Sequence, residues 1–176
     1  MRLGKTGLTV TKPAFGALPI QRRSTDDAAA ILRRAYEGGI RYFDTANSYT
    51  DSEEKIGLAL SDVRGDIVIS TKSQGRDYET VRRHIGLSLE RMRTDYIDLF
   101  QFHMVSNWGE IDSGAYEAAM EAKQKGYVRH IGVTTHSLAF AFELVESDRF
   151  ETMQYPFSYL SNEEERRLVR LCAGKD

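Results

Sequence analysis

Asp44, Lys72, His103 and Thr134 each close an expected strand, and they are separated by 28, 31 and 31 residues. That period matches the roughly 30 residues of one βαβ unit. It constrains the chain more than any other feature, because parallel neighbouring strands need a crossover of helical length between them. The remaining signals fall into the same rhythm. A hairpin is expected over the first ten residues around Lys5-Thr6-Gly7, then a strand over residues 12–18. Ser24 or Thr25 caps a helix whose apolar residues Ile31, Leu32, Ala35 and Tyr36 share one face, and Gly38-Gly39 ends it. Strands are expected over 40–44, 66–72, 96–103, 128–134 and 152–157. Helices are expected over 52–60, 80–92, 113–125, 138–146 and from about residue 162.

Strands alternating with helices indicate an α/β protein with a parallel sheet. An open doubly wound sheet and a TIM-type (β/α) barrel both fit. No Gly-x-Gly-x-x-Gly follows the first strand, which weakens the dinucleotide-binding open sheet and favours the barrel. A complete barrel takes about 250 residues. At 176 residues, the chain reads as one domain over 1–176, an incomplete barrel of about six of the eight β/α units with an N-terminal β-hairpin.

Composition narrows the partners. The formal net charge is -2, with no basic stripe of the kind nucleic acid requires. No apolar run approaches a membrane span, and the first ten residues lack a signal peptide's apolar core. A cytoplasmic protein with no nucleic-acid or membrane partner is expected. Cys172 is the one cysteine, so neither a disulfide within the chain nor a cysteine-only metal site is expected.

In a barrel, chemistry gathers at the carboxyl ends of the strands. Asp44, Lys72 and His103 fall there on three successive strands, with Tyr49 in the loop just beyond Asp44. A phenol is a weak acid at pH 7, with a pKa near 10, and a neighbouring ammonium lowers it. A carboxylate keeps that ammonium charged, and an imidazole orients a carbonyl oxygen. The set suits protonation of a carbonyl oxygen while a cofactor delivers hydride to carbon.

At these residues the sequence resembles the aldo-keto reductase superfamily. The motifs are GIRYFDTANSY at 39–49, ISTK at 69–72, DYIDLFQFH at 95–103 and GYVRHIGVT at 126–134, with LGKTGL at 3–8. YTDSEEKIG at 49–57 is closest to a microbial branch often linked to a downstream iron–sulfur segment. The resemblance implies that Tyr49 is the general acid, that Lys72 lowers its pKa, that Asp44 pairs with Lys72, and that His103 places the carbonyl. It implies NADPH, or less often NADH, as cofactor and a small carbonyl compound as substrate. The nicotinamide carboxamide contacts fall on Thr134, Thr135 and Gln154, where Thr134-Thr135 replaces the family's more usual Ser-Asn pair. Gly16 lets the backbone approach the cofactor. With Cys172 alone, an iron–sulfur cluster is not expected. The family's seventh and eighth units carry the rest of its cofactor contacts. The chain therefore reads as truncated, with open barrel edges, and is expected to be marginally stable, to self-associate along those edges, or to bind the missing part in trans.

Other residues carry plainer expectations. His84 is a solvated surface histidine and His130 a structural one. His136, Met104 and Trp108, with Phe15, Leu18 and Ile20, are candidates for lining the site. Two other functions remain open: a non-catalytic binding module, and a lyase using Lys72 as a Schiff-base amine, which wants a neutral lysine.

Overall fold

A computed structural model describes residues 1–175. Asp176, the last residue of the expected domain, lies outside the described residues. Six parallel strands follow one another in chain order across a single curled sheet: β1 (Phe15–Gly16), β2 (Tyr42–Asp44), β3 (Val68–Ser73), β4 (Ile97–Phe102), β5 (Val128–Thr134) and β6 (Thr152–Gln154). The helices are α1 (Thr25–Glu37), α2 (Ser52–Leu60), α3 (Tyr78–Met92), α4 (Gly109–Asp112), α5 (Ala115–Gln124), α6 (Leu138–Glu146) and α7 (Glu163–Gly174). This is the α/β fold of an incomplete TIM-type barrel. Among the described residues, no helix is long and apolar enough to cross a membrane.

Alternation along the strands builds the core. Phe43, Ile69, Phe100, Phe102, Ile131 and Val133 face the helices and pack with Leu32, Ile56, Val81, Ile85, Ala118 and Leu144. The residues between them face the other way, as a pleated strand requires. Helix starts follow their caps: Ser24 accepts from the Asp27 amide, Asp77 from Thr80 and Ser137 from Phe140. Between α2 and α3 the backbones nearly touch. A Cβ on Gly57 would stand 2.3 Å from the Arg91 carbonyl oxygen, so only glycine fits.

Two expectations needed correction. The strand over 12–18 shrinks to Phe15–Gly16 and is followed by a 3-10 helix, Leu18–Arg22. Pro13 and Pro19 bracket it and donate no backbone hydrogen bond. β6 stops at Gln154 instead of running to residue 157, because Pro156 cannot continue a ladder. The expected N-terminal hairpin is present: an antiparallel bridge joins Arg2 to Thr9, and the Leu3 and Val10 amides donate to the Leu8 and Met1 carbonyls at 2.8 Å, around a 3-10 turn at Gly4–Thr6. Helix α4 carried no periodic signal of its own.

Register positions the site. Asp44 stands opposite Ser70, two residues before Lys72. Lys72 stands opposite Gln101, two residues before His103. Each strand therefore advances by two residues on its neighbour. An even step keeps side chains on one face. Asp44, Lys72 and His103 thus rise as a diagonal on the inner face of the sheet, at its carboxyl end.

Candidate active site

Lys72 is 2 % exposed, and a buried ammonium must be paired. Its Nζ donates to Asp44 Oδ2 at 2.6 Å and to the Thr45 carbonyl at 2.7 Å. Ser70 donates to the other Asp44 oxygen. Burial lowers the Lys72 pKa, and Asp44 opposes that shift through charge and hydrogen bond. Tyr49 lies above the pair, with the Lys72 nitrogen 5.6 Å from its ring centre. The loop that carries it is closed by Tyr49 N to Ala46 O at 3.0 Å and Ser52 N to Tyr49 O at 2.8 Å. His103 meets the Tyr49 ring edge-on, with ring centres 5.8 Å apart.

The electrostatics differ from expectation at one group. The Tyr49 pKa is raised, first by burial and then by the Asp44 charge. The expected lowering by Lys72 does not offset them. The phenol therefore stays protonated at neutral pH. His103 is pushed down to about 4, chiefly by burial and then by the Lys72 charge, so it is neutral at pH 7. Its Nδ1 is buried without a hydrogen-bond partner. A buried polar atom in that state is costly unless something bonds to it.

These groups open onto one cavity of about 170 Å³, lined by Tyr49, Lys72, His103, Thr134, His136 and Gln154, together with Met104, Tyr155 and Pro156. The volume is below the roughly 300–1,000 Å³ of most ligand pockets. It suits a ring-sized head group beside a small carbonyl, not a whole dinucleotide. The donor set fits a nicotinamide carboxamide. The Gln154 amide oxygen accepts from Gln101 at 3.4 Å, leaving its nitrogen to donate. Thr134 Oγ1 accepts from the Met104 amide at 2.8 Å and retains its own proton.

The other candidates fall elsewhere. Thr135 faces the opposite side of the sheet from Thr134. It is fully buried, and its hydroxyl accepts from the Ser137 amide. Gly16 stands opposite Asp44 on the edge strand, with nothing near the position of an added Cβ, and does not line the cavity. Trp108 packs edge-on against Phe140 and donates to Glu143, away from the cavity. Phe15 packs on Phe43, and Ile20 is in the core. Leu18 is exposed and also lies outside the lining. His84 is half-buried and bonded to Ser73 at 2.8 Å, which overturns its reading as a solvated histidine. His130 is bonded to Glu151 at 2.6 Å, as a structural histidine would be. Sequence reasoning missed Tyr155 and Pro156 in the lining. Their signal was position alone, directly beyond a strand end.

The sequence matches the family model for the aldo/keto reductase family over residues 14–176. It is 37% identical over 150 residues to L-galactose dehydrogenase of Arabidopsis thaliana, a match covering 75% of this chain and 47% of that protein. It is 32% identical over 160 residues to methylglyoxal reductase DkgB of Escherichia coli O157:H7, covering 85% of this chain and 59% of that one. The solved structure of aldo-keto reductase AKR11C1 from Bacillus halodurans (holo form) superposes with a TM-score of 0.86 at 28% identity, covering 98% of this chain and 62% of that one. The chain thus spans about half to three-fifths of the length of these relatives. The family model covers nearly the whole chain, and the curled parallel sheet is the fold of the solved relative: the chain belongs to the aldo/keto reductase family.

Proposed function

We propose that this chain carries the proton-delivering half of an NAD(P)H-dependent carbonyl reductase, reducing a small aldehyde or ketone to an alcohol. The observation that carries the reading is the buried Lys72–Asp44 pair at 2.6 Å beneath a protonated Tyr49, beside the unpartnered His103 Nδ1. Family membership and the names of the relatives support the same class of chemistry.

The proposed roles follow from the geometry. The carbonyl oxygen sits between Tyr49 and neutral His103. His103 donates a hydrogen bond that orients it and spreads its developing charge. Tyr49 gives its proton to that oxygen, and the phenolate that forms faces the Lys72 ammonium. Asp44 holds Lys72 in place and keeps it protonated while buried. Thr134 and Gln154 hold the nicotinamide carboxamide. NADPH or NADH, when bound, supplies the hydride. Thr135 and Gly16 act indirectly in this reading: Thr135 shapes the turn into α6, and Gly16 leaves open space beside Asp44. A Schiff-base role for Lys72 is disfavoured, because its nitrogen is engaged by Asp44 and the Thr45 carbonyl.

β1 and β6 have no further strand partner among the described residues, so self-association would use these edges. Sedimentation at two concentrations tests that. The function itself is tested by mixing the chain with NADPH or NADH and a series of small aldehydes, methylglyoxal included. Loss of nicotinamide absorbance that depends on the aldehyde is expected. No consumption with either cofactor would overturn the reading.

A further inference from the structure

Thr71 and Ser73 flank Lys72 on β3 and face the helices, opposite to Lys72. Both are gripped from behind. Thr71 Oγ1 donates to Glu53 Oε1 at 2.6 Å, and Ser73 Oγ shares a hydrogen bond with His84 Nδ1 at 2.8 Å. Glu53, in the first turn of α2, is 1 % exposed. Its second oxygen accepts from Arg91 Nη1 at 3.2 Å and from Asn47 Nδ2 at 3.4 Å. Asn47 is also the residue that ties the Tyr49 loop to the sheet. Its amide donates to the Lys72 carbonyl at 2.9 Å, and its carbonyl accepts from Arg91 at 3.3 Å.

One buried carboxylate therefore bonds to the strand one residue before Lys72 and to the loop two residues before Tyr49. We propose that Glu53 is a positioning residue, clamping the Tyr49 loop onto the Lys72 strand with Arg91 as its counter-charge. For its effect on turnover this rests on the reductase reading. For its effect on the loop it does not.

Helix stability does not account for the placement. An acid in the first turn favours the helix dipole while solvated, and the exposed Glu54 already provides one. Burying a carboxylate is costly unless it is paired and hydrogen-bonded. Here each oxygen is engaged, and the partners are groups that frame the site. The close approach of α2 and α3 at Gly57, one turn beyond Glu53, is what brings Arg91 within reach. The loop's other bonds are mostly its own turn bonds, Tyr49 to Ala46 and Ser52 to Tyr49. Ser52 fixes its far end by donating to the Ala17 carbonyl at 3.0 Å. Without the clamp, the middle of the loop would hold to the sheet through the Asn47 amide. Proton transfer needs the donor held within about 0.5 Å of its productive place.

The test is Glu53→Gln in the full chain, with Thr71→Val as a milder second variant that removes only the strand end of the clamp. Amide hydrogen exchange is followed by NMR. The Asn47 and Tyr49 amides are expected to exchange at least about tenfold faster in Glu53→Gln, and faster to a smaller degree in Thr71→Val, while Leu99 and Phe100 in β4 change less than about twofold. Unchanged loop amides in both variants would overturn the proposal. So would equal acceleration of the β4 amides in both, which would mean general destabilisation. In turnover, kcat should fall about tenfold or more with the carbonyl KM held within about twofold. An unchanged kcat alongside faster loop exchange would also overturn it. Failure of the reductase reading would appear separately, as no cofactor consumption by the unsubstituted chain, and the exchange result would still decide whether Glu53 clamps the loop.

Discussion

The middle of the sheet and its edges are built differently. β3 and β4 are six residues long, and every residue of β4 is buried. They carry Lys72 and His103 at their ends. β1 and β6 are two and three residues long, with Gly16 and Gln154 exposed. β6 carries Gln154, the outermost residue proposed to hold the cofactor. Lys72 and His103, two of the groups proposed for proton delivery, are thus fixed by the core, at the ends of strands set among ladder bonds and packed rings. Of the two groups proposed to hold the cofactor, Thr134 ends the seven-residue β5 and Gln154 sits where the sheet gives out. On the proposed reading, such a site has Lys72 and His103 in place before a ligand arrives, while its affinity for cofactor depends in part on the short β6.

Hydrogen exchange gives the widest separation. Amides of Thr71 and Phe100 are expected to exchange at least about a thousandfold more slowly than those of Met153 and Gln154, because local opening is cheapest where few buried contacts must break. Equal protection would erase the distinction. Next in size is Asp44→Asn. It leaves Lys72 buried without its carboxylate, and the loss of stability is expected to be about 3 kcal/mol by urea unfolding. At the edge, Gln154→Ala should leave stability unchanged and weaken NADPH binding about tenfold, read from nicotinamide fluorescence. If Gln154→Ala unfolds the chain instead, the edge is as structural as the middle.

A further expected effect is in pH. The folded His103 pKa of about 4 lies below the ordinary 6.5, so the folded state binds fewer protons there than the unfolded state. Its contribution to stability is complete above pH about 6.5 and is lost as pH falls from there through about 4. The urea midpoint should decline across that window, and His103→Gln should flatten the decline. A profile that His103→Gln leaves unaltered would place the titration elsewhere.

The same division runs through what the sequence disclosed. Asp44, Lys72 and His103 were legible because strand ends recur at a fixed period, and an even register step puts them on one face whatever the loops do. Thr135 was not, because a resemblance carries residue order without strand parity, and parity turns it to the helices. Phe15–Gly16 fell short of the expected strand because two prolines remove donors that periodicity does not register. His84 read as a surface residue, since nothing local announces that Ser73 lies within bonding distance. The rise in the Tyr49 pKa was hidden for a related reason. It depends on how deeply the phenol is buried and on how near Asp44 comes, which folding sets and composition does not. The Glu53 clamp was equally silent, being assembled from α2, α3, β3 and a loop.

The central claim is that the Tyr49 phenol delivers the proton. The most direct test is single-turnover oxidation of bound NADPH by an aldehyde, with the unsubstituted chain and Tyr49→Phe measured side by side. The account predicts a fall of about a thousandfold in Tyr49→Phe with NADPH affinity unchanged. Equal rates in the two proteins would contradict it.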